Sequence, residues 1–250
     1  MLIVTLITVV VDLIIIKWLL NQKTGIDFTR KGAIRIIFIG IFITILDVFS
    51  GLFINTDINI AGNPLIDGFF MALLGAGLLE ELFKYAAFRL AIRNNQAVHS
   101  WLDVIIVAAL VAMGFDLFEN FIYSVLGDLA TVARAFFPMH FLFGAVMGYY
   151  FGKARLTGQF KYHVMSIGVP VLLHTLFDMW LISMKNIIGD DKIFDTLTEE
   201  QIMALPYYDY LEPMVYAALI TIVVFFAMLV VAFRRIHRCS RNGELQDEVM

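Results

Sequence analysis

The amino-acid sequence predicts an all-α integral membrane protein, a polytopic helical bundle with about seven transmembrane helices. Of its 250 residues, 60% are hydrophobic and 16% are charged. The mean hydropathy of +0.83 is far above what a soluble domain needs to fill a core. The apolar residues also form separate runs, and each run is close to the 20 or so residues that cross a bilayer. These observations exclude an ordinary soluble domain.

Seven apolar runs define the predicted spans. The first run has no basic segment ahead of it and contains Asp12 and Lys17, so we expect it to stay as a helix rather than to be a cleaved signal peptide. Neither an internal repeat nor a long linker is visible, which predicts one membrane-embedded domain over residues 1–250. The predicted spans cover about residues 2–20, 33–54, 65–92, 101–126, 131–152, 164–184 and 212–234.

The charges between the spans predict an orientation. Basic residues follow the first, third, fifth and seventh spans, and they include Arg93, Lys153 and Arg235. Acidic residues dominate the alternate segments, above all an outer acidic loop at 186–211. Because basic segments stay in the cytoplasm, we expect the amino terminus outside. The carboxyl terminus, with a basic tail at 235–250, is then cytoplasmic.

Charged side chains inside the spans are the strongest functional signal, since a charge near the middle of a span costs about 2.5–3.5 kcal/mol on insertion scales. In the third span Glu80 and Glu81 are adjacent, and Lys84 lies one helical turn from both. Lys84 can neutralise one carboxylate, so the other needs a second cation or a shared proton. Such a carboxylate suits general acid–base chemistry, although the same residues could form a structural ion pair.

Three further spans carry polar groups. In span four, helical spacing gathers them on one face of the helix. They are Asp116, Glu119, Asn120 and Tyr123 in span four, His140 in span five, and His174 with Asp178 in span six. At a rise of about 1.5 Å per residue, the glutamates and both histidines fall in one layer between the midplane and the outer surface. Two imidazoles and a carboxylate are a ligand set for a catalytic divalent metal, usually zinc. Each histidine could instead form a hydrogen bond between packed helices.

Two patterns outside this layer have simpler meanings. Gly144, Gly148 and Gly152 recur every four residues and predict a stripe where helices pack closely. In the acidic loop, Thr198-Glu-Glu-Gln201 is typical of a capping box. It predicts a short amphipathic helix, which is either a lid over the polar layer or a plain connector.

The polar groups also follow a recognisable order along the chain: Glu80-Glu81-x-x-Lys84, Phe115-x-x-x-Glu119-Asn120, His140, and His174-x-x-x-Asp178. In this order they resemble the motifs of the PrsW family of intramembrane metalloproteases, which are distant relatives of the CAAX prenyl endopeptidases and bacteriocin-immunity membrane proteins. The resemblance covers about residues 75–185. The first two spans and the acidic loop have no counterpart in the pattern.

The resemblance implies an intramembrane peptidase with a catalytic core at about 65–185. Its expected substrate is a membrane protein, for instance a single-span anti-sigma factor, cleaved within or near the outer half of a bacterial plasma membrane. The expected ion is Zn²⁺, and no nucleic-acid partner is indicated. The expected site residues are His140, His174 and Glu119 as metal ligands, Glu80 or Glu81 as the general base, Lys84 and Asp178 as groups that orient their neighbours, and Asn120 as an oxyanion donor.

Two other classes of protein fit part of the pattern. Buried carboxylates and histidines could form the relay of a proton- or ion-coupled transporter. The sequence lacks the internal repeats and paired broken helices that are typical of such transporters. A catalytically silent membrane scaffold or immunity protein would also carry these motifs.

Overall fold

The computed structural model describes residues 2–22, 30–51, 59–93, 98–126, 137–189 and 196–243. This part of the chain is almost entirely helical, which confirms the predicted all-α class. Its helices are α1 (Leu2–Leu20), α2 (Arg30–Gly51), α3 (Pro64–Met71, Ala72–Gly77 and Leu78–Arg93, without a break), α4 (Trp101–Leu126), α5 (Met139–Thr157), α6 (Phe160–Ile188), α7 (Glu199–Met203) and α8 (Leu211–Asn242).

The long helices coincide with the predicted apolar runs. Within the described residues, four helical stretches are both long enough and apolar enough to cross a membrane, which makes the chain a polytopic membrane protein. They are Lys31–Ser50, Trp101–Tyr123, Phe160–Ile188 and Tyr208–Asn242. The count of seven spans and the orientation of the termini stay predictions.

Two helix ends differ from their predicted positions. The fifth span was expected from residue 131, but residues 127–136 lie outside the described part, and α5 begins at Met139 with Pro138 as its N-cap. The predicted basic tail is helical as far as Asn242, because α8 has no proline or glycine between Met214 and Asn242. Gly243 then ends the helix in a left-handed conformation with φ of 69°.

Helix α4 is the centre of the bundle. Every residue from 102 to 113 is at most 4% exposed, and α1, α2, α3 and α5 all pack against this helix. A helix that is apolar on all sides must be surrounded by protein or lipid. Here protein surrounds it, so the polar end of α4, with Asp116 and Glu119, is also held inside the bundle.

The predicted glycine stripe is the contact between α4 and α5. A Cβ atom added at Gly148 would lie 2.6 Å from the Cα of Ile105 and 2.9 Å from the carbonyl oxygen of Val104. Gly144 and Gly152 face α4 in the same way. The two helices therefore approach backbone to backbone, as small residues allow in membrane bundles.

The acidic loop contains the short helix that its capping box predicts. The hydroxyl of Thr198 accepts a hydrogen bond from the N–H of Gln201 (3.3 Å), and the Gln201 side chain accepts one from the N–H of Thr198 (2.8 Å). Further along, the Tyr207 hydroxyl donates to the carbonyl of Gly62 at 2.8 Å. This bond ties the loop to the segment just before α3, and a role as a lid stays a prediction.

We predict that Gly148→Ala lowers the thermal unfolding temperature of the detergent-purified protein. The added methyl group must displace backbone atoms of α4, and overpacking of this kind costs about 1–3 kcal/mol. Gly168→Ala is the matched control, because Gly168 lies within α6 and a methyl group added there would meet no neighbouring atom within 4 Å. Equal melting temperatures for the two variants would show that the α4–α5 contact is not tightly packed.

Candidate active site

The glutamate pair is placed by an irregular turn in α3. Residues Ala72–Gly77 form a π-helical segment, and the regular helix resumes at Leu78. Such segments inside α-helices are uncommon and are frequent at functional sites. A Cβ atom at Gly77 would lie 3.0 Å from the carbonyl oxygen of Val171 in α6. Glycine at this position lets α3 approach α6 just before the glutamates.

Lys84 joins both glutamates within α3. Its Nζ lies 3.0 Å from Glu80 Oε2 and 2.9 Å from Glu81 Oε1. The Lys84 side chain is 1% exposed and Glu81 is completely buried, whereas the Glu80 side chain keeps 10% exposure. The ring of Phe115 lies 4.1 Å from the ammonium and adds a cation–π contact. The two carboxylates thus share one buried cation.

His140 lies between Lys84 and the carboxylates of α4. Its Nδ1 is 2.7 Å from Lys84 Nζ, and its Nε2 is 2.7 Å from Glu119 Oε2. The Nε2 atom is also 3.8 Å from Asp116 Oδ1. An ammonium can only donate, so these distances fit the tautomer in which Nδ1 accepts from Lys84 and Nε2–H donates to Glu119.

His174 is surrounded by carboxylates. Its Nδ1 lies 3.0 Å from Glu81 Oε1, and its Nε2 lies 3.1 Å from Asp178 Oδ2 and 3.8 Å from Glu80 Oε2. The ring of Phe143 stacks on the imidazole with 5.0 Å between the ring centres. Asp178 therefore contacts His174 one turn away, as its spacing predicts, and the imidazole has little freedom to rotate.

Two overlapping groups of buried donor atoms could hold a metal ion. One consists of Glu80, His140 and His174, and the other of Asp116, Glu119 and His140. Within each group the donor atoms lie within 4.8 Å of one another. Zinc bonds of about 2.0–2.2 Å place tetrahedral ligands roughly 3.3–3.6 Å apart, so a small inward movement would complete either set.

The three predicted metal ligands, His140, His174 and Glu119, do not all belong to one of these groups. His140 and His174 belong together with Glu80, whereas Glu119 belongs with Asp116 and His140. The first group contains two imidazoles and a carboxylate, which is the donor chemistry of a catalytic zinc site. Either group fits a divalent metal, and the expected ligands His140, His174 and Glu119 draw on both.

The site encloses little space. A cavity of about 10 Å³ lies beside the imidazoles and Asp178, and Phe137, Phe143 and Phe177 form much of its wall. This volume holds about one water molecule. A peptide segment can enter only when the helices or these aromatic rings move apart.

From the sequence, Asp12 of α1 and Asp47 of α2 were not identified as neighbours of the site. Asn120, the expected oxyanion donor, gives one amide hydrogen to Asp12 Oδ2 at 3.1 Å, and Asp12 is 1% exposed. Asp47 of α2 is half-buried and close enough to Lys84 and Glu119 for electrostatic interaction. In the sequence, both residues are recognisable as acidic side chains within apolar runs. For Asp12 we used this observation only as an argument against a signal peptide.

Comparison with known proteins gives one consistent family. The profile of the PrsW family intramembrane metalloprotease matches residues 30–234. Protease PrsW of Bacillus subtilis (strain 168) is 31% identical over 154 residues, which are 58% of this chain and 69% of that protein. Protease PrsW of Oceanobacillus iheyensis is 30% identical over 153 residues, 59% of this chain and 69% of that protein. No solved structure matches the chain.

We predict that Glu81→Gln destabilises the protein more than Glu80→Gln does. Glu81 Oε1 accepts from both Lys84 and His174 in a completely buried position, and hydrogen bonds to charged groups contribute about 1.5–3 kcal/mol each. Glu80 has one such bond, and its side chain keeps 10% exposure. Thermal unfolding of the two single variants beside the parent chain measures the difference. A larger loss for Glu80→Gln would contradict this account of the cluster.

Proposed function

The chain belongs to the PrsW family of intramembrane metalloproteases, and from this premise we propose how its buried residues cleave a membrane-protein substrate. The family match confirms the predicted enzyme class, an intramembrane peptidase. The observation that carries our proposal is that Glu80, His140 and His174 come from three helices and place their donor atoms within 4.8 Å of one another.

We propose that His140 and His174 hold the metal, with Zn²⁺ as the candidate ion, and that Glu80 lies beside it as the base rather than as a ligand. When bound, a divalent metal supplies Lewis-acid polarisation of a carbonyl and activation of water. Glu81 fixes the His174 ring by accepting from Nδ1 (3.0 Å), which leaves Nε2 as the ligand nitrogen. His140 can offer Nε2 only with its proton on Nδ1, so Lys84 must turn away from that atom.

We assign the general base to Glu80 rather than to Glu81. Both bonds of Glu81 use Oε1, and the residue has no contact with water. Glu80 uses Oε2 for Lys84 and retains exposure, so Oε1 can take a proton from the attacking water. The same oxygen then returns that proton to the leaving amine.

The remaining polar residues have supporting roles in this proposal. Lys84 pairs with both glutamates and holds their carboxylates in position. Glu119 orients His140 through Nε2 before a ligand binds. Asp178 orients His174 through Nε2 before a ligand binds. Asn120, whose amide donates to Asp12 Oδ2 at 3.1 Å, stays our candidate donor to a developing oxyanion.

The proposed setting is a bacterial plasma membrane, with seven spans and one membrane-embedded domain. The charge pattern supports an amino terminus outside and a cytoplasmic carboxyl terminus, which puts the site in the outer half of the bilayer. The substrate of an intramembrane peptidase is itself a membrane protein. A single-span regulatory protein, such as an anti-sigma factor, is our candidate.

We predict that Glu80→Gln abolishes cleavage while the protein stays folded. Loss of a general base lowers the rate by about 10²–10⁴-fold. The assay uses purified protein in liposomes with candidate single-span substrates, and mass spectrometry identifies the cleaved bond. Glu199→Gln is the control, because Glu199 is exposed in α7. Undiminished cleavage by the Glu80→Gln variant would refute our choice of base.

The metal is tested separately from the peptidase activity. We expect elemental analysis to find bound divalent metal in the purified protein, and we expect His174→Ala to lose it. His163→Ala should keep the metal, since His163 is a histidine of α6 that lies outside both donor groups. A metal-free preparation that still cleaves its substrate would overturn the metal assignment and leave the peptidase intact.

A further inference from the structure

A larger cavity lies between α4, α5, α6 and α8, apart from the residues that form the catalytic cluster. Its volume is about 540 Å³, which is in the range of small-molecule sites. Twelve of the fifteen residues that line it have aliphatic or methionine side chains. Val224 and Val231 on its α8 side are 50% and 64% exposed. The cavity therefore opens toward the apolar surface of the bundle, where lipid lies.

The other three lining residues are hydrogen-bond donors, namely Tyr149, Tyr150 and Arg235. Arg235 follows the most apolar part of α8 and is exposed. Within the described residues it forms neither an ion pair nor a hydrogen bond, and the two tyrosine hydroxyls accept and donate none. None of the fifteen lining residues is acidic. The lining thus offers a cation and two hydroxyls to an anion, and the remaining walls are apolar.

The size of the cavity decides what fits. A helix about 10–12 Å wide with a pitch of 5.4 Å occupies roughly 500 Å³ per turn. The cavity would hold about one turn of a substrate helix, which is too short for a transmembrane segment. An acyl chain is much thinner and can extend between α5, α6 and α8.

We propose that this cavity binds an anionic phospholipid, with an acyl chain along the apolar wall and the phosphate at Arg235. Basic pockets between transmembrane helices are typical sites for anionic headgroups. A zwitterionic headgroup would bring its ammonium beside Arg235 with no lining carboxylate to accept it, so the site selects against such lipids. The bound lipid fills the gap between α8 and the rest of the bundle and stabilises the packing of α8.

The test compares phosphatidylglycerol with phosphatidylcholine of the same acyl chains, added to the full-length protein in a neutral detergent. We expect native mass spectrometry to show one retained phosphatidylglycerol per chain, and we expect that lipid alone to raise the melting temperature. Arg235→Gln should weaken its binding about fivefold. Arg234→Gln is the matched control, since Arg234 is the exposed neighbour in α8 and does not line the cavity.

A second pair of variants tests the apolar part of the site. Ala227→Phe places a ring inside the cavity and should displace the lipid. Val223→Phe should not, because Val223 is 68% exposed and lies outside the lining. Equal stabilisation by both lipids, or equal effects of Arg234→Gln and Arg235→Gln, would overturn the proposal. So would displacement of the lipid by a single-span substrate peptide, which would identify the cavity as a substrate site.

Discussion

The catalytic cluster depends on one buried ammonium group. Lys84 lies within 3.0 Å of Glu80, Glu81 and His140 in a layer where an unpaired charge is costly. Without this cation, two neighbouring carboxylates would repel each other inside the bundle. With it, each acquires a different environment: Glu81 is completely buried and bonded to His174, whereas the Glu80 side chain keeps 10% exposure. The chemistry of the site follows from that difference.

The cluster exists because four helices approach closely enough for short polar contacts. Gly148 and its neighbours bring α5 against α4, and Gly77 brings α3 against α6. In lipid, helices gain little from apolar burial against one another, so close backbone packing and interhelical hydrogen bonds hold the bundle. The bonds of His140 and His174 to carboxylates of other helices are part of that packing. In our proposal, the residues that stabilise the bundle are therefore also the residues that catalyse the reaction.

Two cavities of the molecule have different linings, and we propose different roles for them. The catalytic cavity has room for about one water molecule and is walled by aromatic rings. The larger cavity beside α8 has aliphatic walls and ends at Arg235. A closed site protects membrane proteins from indiscriminate hydrolysis, since cleavage needs a movement that opens the aromatic wall. A lipid that stabilises α8 would act on the helix next to that wall, where Phe225 contacts Phe143 and Phe177.

Apolar run length and residue order were enough to predict the helical class, the family and the four polar elements, because a charge within a span must face protein. Helical spacing also predicted the partners of Lys84 and the contact of Asp178 with His174. However, the spacing along the helix places Lys84 near both glutamates, so the sequence could not show which of the two is the general base. The environments of the two glutamates differ because His174, 93 positions from Glu81, bonds to Glu81. In the same way, the partner of Asn120 is Asp12, 108 positions away. Contacts of that kind depend on how whole helices pack, and no local pattern along the chain records them.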